Sequence, residues 1–378
     1  MIRIYINERH KIMNTSFTAG FIGLGLIGGS IAKALKHFYP DVTILAHTRS
    51  SRTTEYALKE GIIDEAYPCV TEDFSRCDYI FLCAPVEANV TYLTQLKPLL
   101  KKGCILTDAG STKTDIHQHI IDLDMEECFI GGHPMAGSEK TGIENAKRHL
   151  MENAYYIITP SAKVSKDKVE EYVKLVASLK AIPMVLDYQE HDFVTAAISH
   201  LPHIIASTLV NLVHDKDTPS ETMRTIAAGG FKDITRIASS SPEMWEQICT
   251  TNADNIVAVL DAYTDSLKKV RTSLVHRTGS EIHQLFSDSR DYRNTFSDLS
   301  SGPLKKVYML YCDMVDEAGG IATLATILAT GGISLRNIGI VHNREFEEAV
   351  LRVEFYEEEA LKKAVELLRR YHYTVYER

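Results

Sequence analysis

The feature that most constrains this chain is a glycine-rich turn near its N-terminus. Gly23-Leu-Gly25-Leu-Ile-Gly28 follows an apolar run, Ala19–Ile22, and precedes a helical pattern, Ile31–Lys36. In this setting Gly23 allows a tight turn, Gly25 lets the backbone approach a pyrophosphate, and Gly28 lets helix and strand pack closely. The helix N-terminus also supplies unpaired N–H donors to phosphates. The segment therefore predicts a dinucleotide-binding βαβ unit.

Strand and helix patterns alternate through the first half of the chain. The strand candidates are continuously apolar, as strands buried on both faces are. This alternation predicts a Rossmann-type α/β domain with a doubly wound parallel sheet over residues 17–188, and residues 1–16 read as a leader or an extra strand. The candidates are Ala19–Gly23, Val42–His47, Tyr79–Ala84, Cys104–Asp108, Cys128–Gly132, Tyr155–Thr159 and Pro183–Asp187.

Two further domains follow from changes in this pattern. Residues 189–286 have helical periodicity and no strand runs, which predicts an all-α domain of a few long helices. The polar segment Ser287–Lys305, with its Gly302-Pro303, is typical of a linker. Residues 306–378 then follow the order strand, helix, strand, strand, helix, strand, which predicts a ferredoxin-like α+β domain.

Composition excludes several classes of partner. The net charge of -9 argues against a nucleic-acid surface. No continuous apolar run approaches the ~18 residues that cross a bilayer, and the N-terminus lacks the apolar segment of a signal peptide. We therefore expect a cytoplasmic protein without a membrane partner. The seven cysteines include no C-x-x-C pair, so no zinc site is predicted.

The residues after the second strand bear on the choice between NAD and NADP. An acidic residue usually binds the adenine ribose there, but this strand ends His47-Thr48-Arg49-Ser50. Arg49 and Ser50 are suited to a 2′-phosphate, whereas Arg49 stacked on adenine would suit NAD, so we expect NAD without excluding NADP. The predicted cofactor-binding residues are Gly23, Gly25, Leu26, Ile27, Gly28, Thr48, Arg49, Ala84, Pro85, Asp108 and Ser111.

Two polar motifs follow later strands, at the edge where α/β sheets bind ligands. They are Asp108-Ala-Gly-Ser111-Thr-Lys113 and Gly131-Gly-His133-Pro-Met-Ala-Gly-Ser-Glu139. With Ser199-His200-Leu-Pro-His203, with Gly229-Gly-Phe-Lys-Asp-Ile-Thr-Arg236 and with Trp245, they resemble the motifs of the prephenate dehydrogenase family. The resemblance extends from about residue 19 to residue 286.

That resemblance implies an oxidative decarboxylation and a set of site residues. Prephenate would lose a hydride to the nicotinamide and its ring carboxylate as CO2, giving 4-hydroxyphenylpyruvate. A neutral His suits the removal of the hydroxyl proton, so His133 is the candidate base, with Ser111 bonded to it. Arg236 would bind a carboxylate through its planar fork, and Asp233 would hold Arg236 or His203. The predicted substrate-binding residues are Arg236, His203, His200, Asp233, Lys232, Glu139 and Trp245.

Alternatives remain open at this level. The alternative role of His200 is packing between helices. A zinc site at His200 and His203 is disfavoured, because no third ligand has a suitable spacing. The C-terminal segment resembles an ACT domain, with Asp316–Ile321 as the turn after its first strand and Asn337-Ile338 at the start of the characteristic stretch of its second strand, although Ala318 replaces the usual proline of the turn. In this family such a domain implies feedback inhibition by tyrosine, and the helical domain implies a homodimer. Arogenate as substrate, a β-hydroxyacid dehydrogenase and a ligand sensor are the competing functions.

Overall fold

The structure, a computed structural model, describes residues 3–4, 16–137, 140–299, 308–314, 319–341 and 349–377. It divides into two compact units, Met1–Arg277 and Thr278–Arg378. The first unit contains a layered α/β region followed by helices. The second contains one helix followed by a small α+β domain.

A five-stranded parallel sheet forms the centre of the first unit; four of its strands were predicted, and the short strand Glu65–Tyr67 was not. Its strand order is β4-β3-β2-β5-β6, which places the glycine-rich turn after the central strand. Helices cover both faces, so the strands are almost wholly apolar, with Phe21 stacked on Phe81. The strands are β2 (Thr18–Ile22), β3 (Thr43–His47), β4 (Glu65–Tyr67), β5 (Tyr79–Leu82) and β6 (Ile105–Asp108); the helices are α1 (Leu26–Phe38), α2 (Ser51–Lys59), α3 (Val86–Leu96) and α4 (Thr114–Asp122).

A second, mixed sheet continues beside β6, and here the all-parallel expectation is wrong. Leu106 bridges to Phe129 just before β7, and β8 then runs antiparallel to β7. A parallel return requires a crossover of a dozen or more residues, usually a helix; the described residues between β7 and β8 hold only a short 3-10 turn, Ile143–Asn145. The elements are β1 (Arg3–Ile4), β7 (Ile130–Pro134), β8 (Tyr155–Pro160), α5 (Lys166–Ser178) and β9 (Ile182–Val185), in the order β1-β9-β8-β7.

The helical region contains more and shorter helices than expected. Gly229-Gly230 and Pro242 begin new helices rather than lying within long ones, because glycine and proline disfavour helix interiors. A π-helical turn, Ala196–His200, joins the first two helices. The helices are α6 (Tyr188–Thr195), α7 (Leu201–Lys216), α8 (Thr222–Ile226), α9 (Gly229–Thr235), α10 (Pro242–Thr251) and α11 (Ala253–Val275).

The continuous segment Tyr188–Lys216 is long and apolar enough to cross a membrane by length and composition, with a mean hydropathy of 1.5 over its best window. This was not expected, because polar residues interrupt every apolar run within it. The same segment contributes three histidines to the candidate site described below.

The second unit begins with α12 (Gly279–Leu299), which occupies part of the predicted linker. Two helices then pack on one face of a four-stranded antiparallel sheet with the order β11-β12-β10-β13. Leu310, Leu351 and Phe355 from the sheet form its core with Leu324 and Leu368 from the helices. The elements are β10 (Tyr308–Met314), α13 (Gly320–Thr330), β11 (Leu335–Val341), β12 (Ala349–Phe355), α14 (Glu358–Arg370) and β13 (Val375–Glu377).

Candidate active site

The space available for a side chain differs among the three glycines of the turn. Gly23 has a φ of +92°, and a Cβ there would lie 2.7 Å from the Ala84 backbone nitrogen. A Cβ at Gly28 would lie 2.6 Å from the Gly23 carbonyl oxygen. A Cβ at Gly25, in contrast, would meet nothing within 4 Å. Gly25 is thus not required by packing, which fits a backbone approached by a ligand.

The start of α1 fits a pyrophosphate. No side chain caps it, and its first turn contains no acidic residue, so its N–H donors are available to an anion. Leu26 and Ile27 form this first turn and are partly exposed. The Gly23 N–H donates to the His47 carbonyl oxygen at 2.8 Å, which holds the turn against the end of β3.

The other predicted cofactor residues lie along the same edge of the sheet. Thr48 and the exposed Arg49 follow β3, and Ala84 and Pro85 follow β5. The Asn89 amide nitrogen donates to the Ala84 carbonyl oxygen at 3.0 Å and so fixes the second of these turns.

Asp108 is engaged within the protein. It forms a fully buried ion pair with Lys113, and its carboxylate accepts hydrogen bonds from the backbone N–H groups of Gly110 (2.9 Å) and Gly132 (3.1 Å). A buried ion pair is costly unless hydrogen bonds complete it, and these two N–H groups do so. The arrangement fixes β7 beside β6 and places His133, the next residue along β7, at the edge of the sheet.

His133 is the end of a hydrogen-bonded series of three side chains. Its Nδ1 lies 2.8 Å from Nε2 of His191, and Nδ1 of His191 lies 2.8 Å from Oδ1 of Asp192. Asp192 also accepts hydrogen bonds from the backbone N–H groups of Lys113 (2.8 Å) and Thr114 (2.7 Å), at the start of α4. Burial opposes ionisation of Asp192, but the hydrogen bonds from His191 and Thr114 hold its pKa below the ordinary value.

The series determines which ring nitrogens carry hydrogen. An ionised Asp192 only accepts hydrogen bonds, so His191 donates through Nδ1, and in the neutral form of His191 the Nε2 atom bears a lone pair. That Nε2 must then accept from Nδ1 of His133, which leaves Nε2 of His133 as a free lone pair. Burial, together with His191, Lys113 and His200, holds the pKa of His133 well below its ordinary value. His133 is therefore neutral near pH 7 and available as a base.

The helical region brings a second group of rings to this place. The Asn252 amide nitrogen lies 2.8 Å from the Asp192 carbonyl oxygen and 3.2 Å from Nδ1 of His200. Trp245 stacks on His203 at 3.9 Å between ring centroids and meets His200 edge-on. Burial lowers the pKa of His200 to about 4.

His203 lies beside the predicted carboxylate-binding arginine. Its Nδ1 lies 2.8 Å from the Ser199 carbonyl oxygen, so Nδ1 is the donor and Nε2 faces away from the helix backbone. Burial lowers the pKa of His203, and the charge of Arg236 lowers it further. Trp245 thus contacts two imidazole rings, and the cation Arg236 lies near one of them, His203.

The π-helical turn explains how these rings meet. In an uninterrupted α-helix, Asp192 and His200 would point about 80° apart, since each residue adds about 100°. The turn Ala196–His200 takes up one additional residue, which reduces that angle to about 20°. Asp192 and His200 consequently face the same side, and the angle between His191 and His200 falls from about 180° to about 80°.

Comparisons with known proteins identify the family of this chain. A model described as the prephenate dehydrogenase nucleotide-binding domain matches residues 31–185, and one described as the dimerization domain of the same enzyme matches residues 187–288. The chain is 37% identical to a prephenate dehydrogenase of Bacillus subtilis over 348 residues, which cover 90% of this chain and 93% of that protein. The chain belongs to the prephenate dehydrogenase family.

Two further relatives bear on substrate and cofactor. A cyclohexadienyl dehydrogenase of Zymomonas mobilis is 31% identical over 273 residues, or 72% of this chain and 93% of that protein. Among solved structures, prephenate dehydrogenase of Aquifex aeolicus in complex with hydroxyphenyl propionate and NAD+ is 28% identical, with a TM-score of 0.70, and covers 76% of this chain and 100% of that one.

Not every residue expected from the prephenate dehydrogenase motifs joins the cluster. Within the described residues, Ser111 forms no hydrogen bond with His133, whose Nδ1 bonds to His191 instead. Lys232 and Asp233 are exposed on α9, and neither side chain forms a hydrogen bond or ion pair with a described residue, so the expected contact of Asp233 with Arg236 or His203 is absent. Glu139 lies outside the described residues. No group of three potential metal ligands occurs in the part of the chain that is described.

Sequence reasoning missed the residues that orient the expected ones. His191, Asp192 and Asn252 were not singled out, and Lys113 was quoted in a motif without a role. His191 and His200 are nine residues apart, which places them on opposite sides of a regular α-helix. The available signal was the His191-Asp192 pair shortly after the helix start at Asp187, next to a segment already rich in histidine.

Proposed function

We propose that this chain catalyses the oxidative decarboxylation of prephenate to 4-hydroxyphenylpyruvate with NAD. The observation that carries the proposal is the series Asp192–His191–His133, which leaves a neutral Nε2 lone pair at the sheet edge where the glycine-rich turn lies. A base in this state suits the removal of an alcohol proton near pH 7.

The residues of the chain then have separable tasks. His133 takes the proton of the C4 hydroxyl group on Nε2, and the charge it gains is stabilised through His191 by Asp192. When bound, NAD accepts the hydride from C4 while the ring carboxylate leaves as CO2. Arg236, in turn, binds a carboxylate of prephenate, and His203 lies beside it. Ser111 and Glu139 are kept as further contacts, to be tested by substitution.

The proposed cofactor contacts are those along the sheet edge. The start of α1, with Gly25, would hold the pyrophosphate, and Thr48 would lie near the adenine ribose. Arg49 is proposed to stack on adenine, which favours NAD. The Aquifex relative with NAD+ bound supports this choice. NADP is the tested alternative, because Arg49 and Ser50 also suit a 2′-phosphate.

The test is an absorbance assay of NAD or NADP reduction by the purified chain, with either prephenate or arogenate as substrate. We expect turnover with prephenate and NAD, and a loss of about 10²–10⁴-fold in kcat in His133→Asn with unchanged NAD affinity. Turnover with arogenate alone would assign the second candidate function, which the cyclohexadienyl dehydrogenase relative favours. Absence of turnover with both substrates would refute the enzyme assignment and favour a sensor.

We also propose a cytoplasmic homodimer formed through the helical region. Between residues 187 and 277, all of them described, only Ala196, Ala206, Ile248 and Ile256 are buried apolar residues. Many large apolar side chains there are exposed, and such patches are typical of interfaces. The exposed residues include Phe193, Ile198, Leu212, Ile226, Ile234, Val257, Leu274 and Val275. Light scattering without detergent should give the mass of a dimer; a monomer, or a protein that requires detergent, would contradict this.

For residues 306–378 we propose an ACT domain that mediates inhibition by tyrosine. The element order and sheet order described above support a ferredoxin-like module, and the Bacillus relative aligns over 90% of the chain and so includes part of this segment. Gly319, at a φ of +96°, precedes α13. We expect tyrosine to inhibit the full chain and Gly319→Val to reduce that inhibition while kcat persists. Equal inhibition of both proteins would place tyrosine in the active site.

A further inference from the structure

We propose that Asn252 is a positioning residue that fixes the tautomer of His200, so that His200 presents Nε2–H to a carboxylate of the substrate. The inference rests on the proposed function and deepens it. Neither the sequence motifs nor the family descriptions assign a role to Asn252.

The orientation of the Asn252 amide follows from its neighbours. The Asp192 carbonyl oxygen can only accept a hydrogen bond, so the amide atom 2.8 Å from it is the nitrogen. On the other side, the Asn252 amide oxygen accepts from the Asn255 side chain at 2.8 Å. A reversed amide would oppose oxygen to oxygen at the first contact and nitrogen to nitrogen at the second. Both contacts therefore select the same orientation.

This orientation determines the state of His200. The same amide nitrogen lies 3.2 Å from Nδ1 of His200, so Nδ1 must carry a lone pair and accept. His200 is 1% exposed, and burial holds it neutral near pH 7, with a pKa of about 4. The single hydrogen of the neutral ring is therefore on Nε2.

The donor that results has no partner within the protein. No described residue forms a hydrogen bond with Nε2 of His200. Nε1 of Trp245, whose ring lies edge-on to His200 at 5.9 Å between centroids, is buried and has no partner among the described residues. Buried N–H groups are nearly always paired in native proteins. The Nε1–H of Trp245 and the Nε2–H of His200 fit an anionic acceptor, since prephenate provides two carboxylates and the cation Arg236 lies near His203, which stacks on Trp245.

Asn252→Asp tests the tautomer at nearly constant side-chain shape. A carboxylate beside Nδ1 of His200 accepts hydrogen, so neutral His200 would carry its hydrogen on Nδ1 and lose the Nε2 donor. At lower pH the carboxylate favours the doubly protonated ring, which has both donors. In the variant, KM for prephenate should therefore rise about tenfold or more as the pH increases through the new pKa of His200, whereas KM of the wild type should stay flat from pH 6 to 8. kcat at saturation should change less than about threefold, because the His133 series retains its contacts.

The matched control is Asn255→Ala, which leaves both contacts of the Asn252 amide nitrogen and should keep a flat KM profile. A second readout needs no substrate: ¹⁵N-histidine NMR spectra of the full chain, assigned with His200→Gln, report the tautomer directly. Wild-type His200 with hydrogen on Nδ1 would overturn the proposal even if the enzyme turns over prephenate. An Nε2–H signal in a chain without prephenate turnover would instead support the positioning role and remove only the proposed substrate. If Asn252→Asp does not fold, Asn252→Ala should show a mixture of tautomers; a pure Nε2–H signal there would also overturn the role of Asn252.

Discussion

Asp192→Asn is the most informative single substitution, because it removes a charge from the base series and leaves the shape unchanged. The Asn amide oxygen is expected to stay at the Oδ1 position, where it accepts from both His191 and the Lys113 N–H. The amide nitrogen then faces the Thr114 N–H, which loses its acceptor. The tautomers of His191 and His133 are retained, while the negative charge that stabilises protonated His133 is lost.

The magnitude follows from the geometry. Two hydrogen bonds of 2.8 Å and one imidazole ring separate the carboxylate from the His133 ring. At on the order of 7 Å and an effective dielectric constant of about 20, the lost attraction for a full charge is about 2 kcal/mol. Since His133 carries only part of that charge in the transition state, kcat should fall about ten- to thirtyfold, with KM for prephenate changed less than about threefold. The unpaired Thr114 N–H should also lower the free energy of unfolding by about 1–3 kcal/mol.

The control is Asp115→Asn, the same carboxylate-to-amide change in the first turn of α4. Asp115 faces His119 at the surface rather than His191. Steady-state absorbance assays and urea unfolding of both variants at pH 7 separate the two effects. A folded Asp192→Asn protein with kcat within threefold of the wild type would refute the charge argument, as would an equal loss in Asp115→Asn.

Three further predictions concern cofactor binding, acid stability and substrate binding. Gly28→Ala should lower the melting temperature, because its Cβ would lie 2.6 Å from a carbonyl oxygen. Gly25→Ala should keep the melting temperature and reduce NAD affinity at least about tenfold. Thermal shift measurements with and without NAD distinguish the two variants. Burial lowers the pKa of His117 to about 4, so the unfolded chain binds this proton from pH 6.5 downward and the folded chain only near pH 4. His117 should therefore account for a loss of about 3 kcal/mol in unfolding free energy across that window, with a smaller pH slope in His117→Gln urea titrations. Arg236→Lys should raise KM for prephenate about tenfold, because an ammonium lacks the two-pronged fork, and an unchanged KM would remove Arg236 from the carboxylate site.

The parts of the fold that the sequence predicted depend on period-two and continuous apolar patterns. The parallel strands ending at Ile22, His47 and Leu82 were located within one or two residues, because each is a short buried run followed by a turn. The strand β8 was predicted as Tyr155–Thr159, but its antiparallel direction was not, since direction depends on what joins β7 to β8 rather than on the apolar run itself. Chain direction is thus a property of the connection, and no strand pattern contains it.

The sequence predicted the groups proposed to react with or bind the substrate, but it did not indicate the residues that position them. His133 and Arg236 belong to distinctive motifs. His191 and Asn252 are ordinary helix residues, and their contacts depend on a local change in the angular position of residues around the helix. A regular helical period turns His191 away from His200, and the π-helical turn Ala196–His200 reduces the angle between them from about 180° to about 80°. Such turns have no simple residue signature, so the period assumed in a sequence reading fails where the site needs it most.

Asp192 links the two halves of this site. Its carboxylate sets His191 and, through it, the lone pair of His133 on the sheet, while its backbone carbonyl sets the Asn252 amide and, through it, His200 on the helices. The same carboxylate accepts the first N–H groups of α4, so Asp192 is fixed by the α/β layer although it belongs to α6. The base and the proposed substrate donor are therefore both placed relative to one fully buried residue. A shift of the helices on the sheet would move His200 and leave His133 in place. The bonds of Asp192 to both layers oppose such a shift and so maintain the separation that a single bound ring must span.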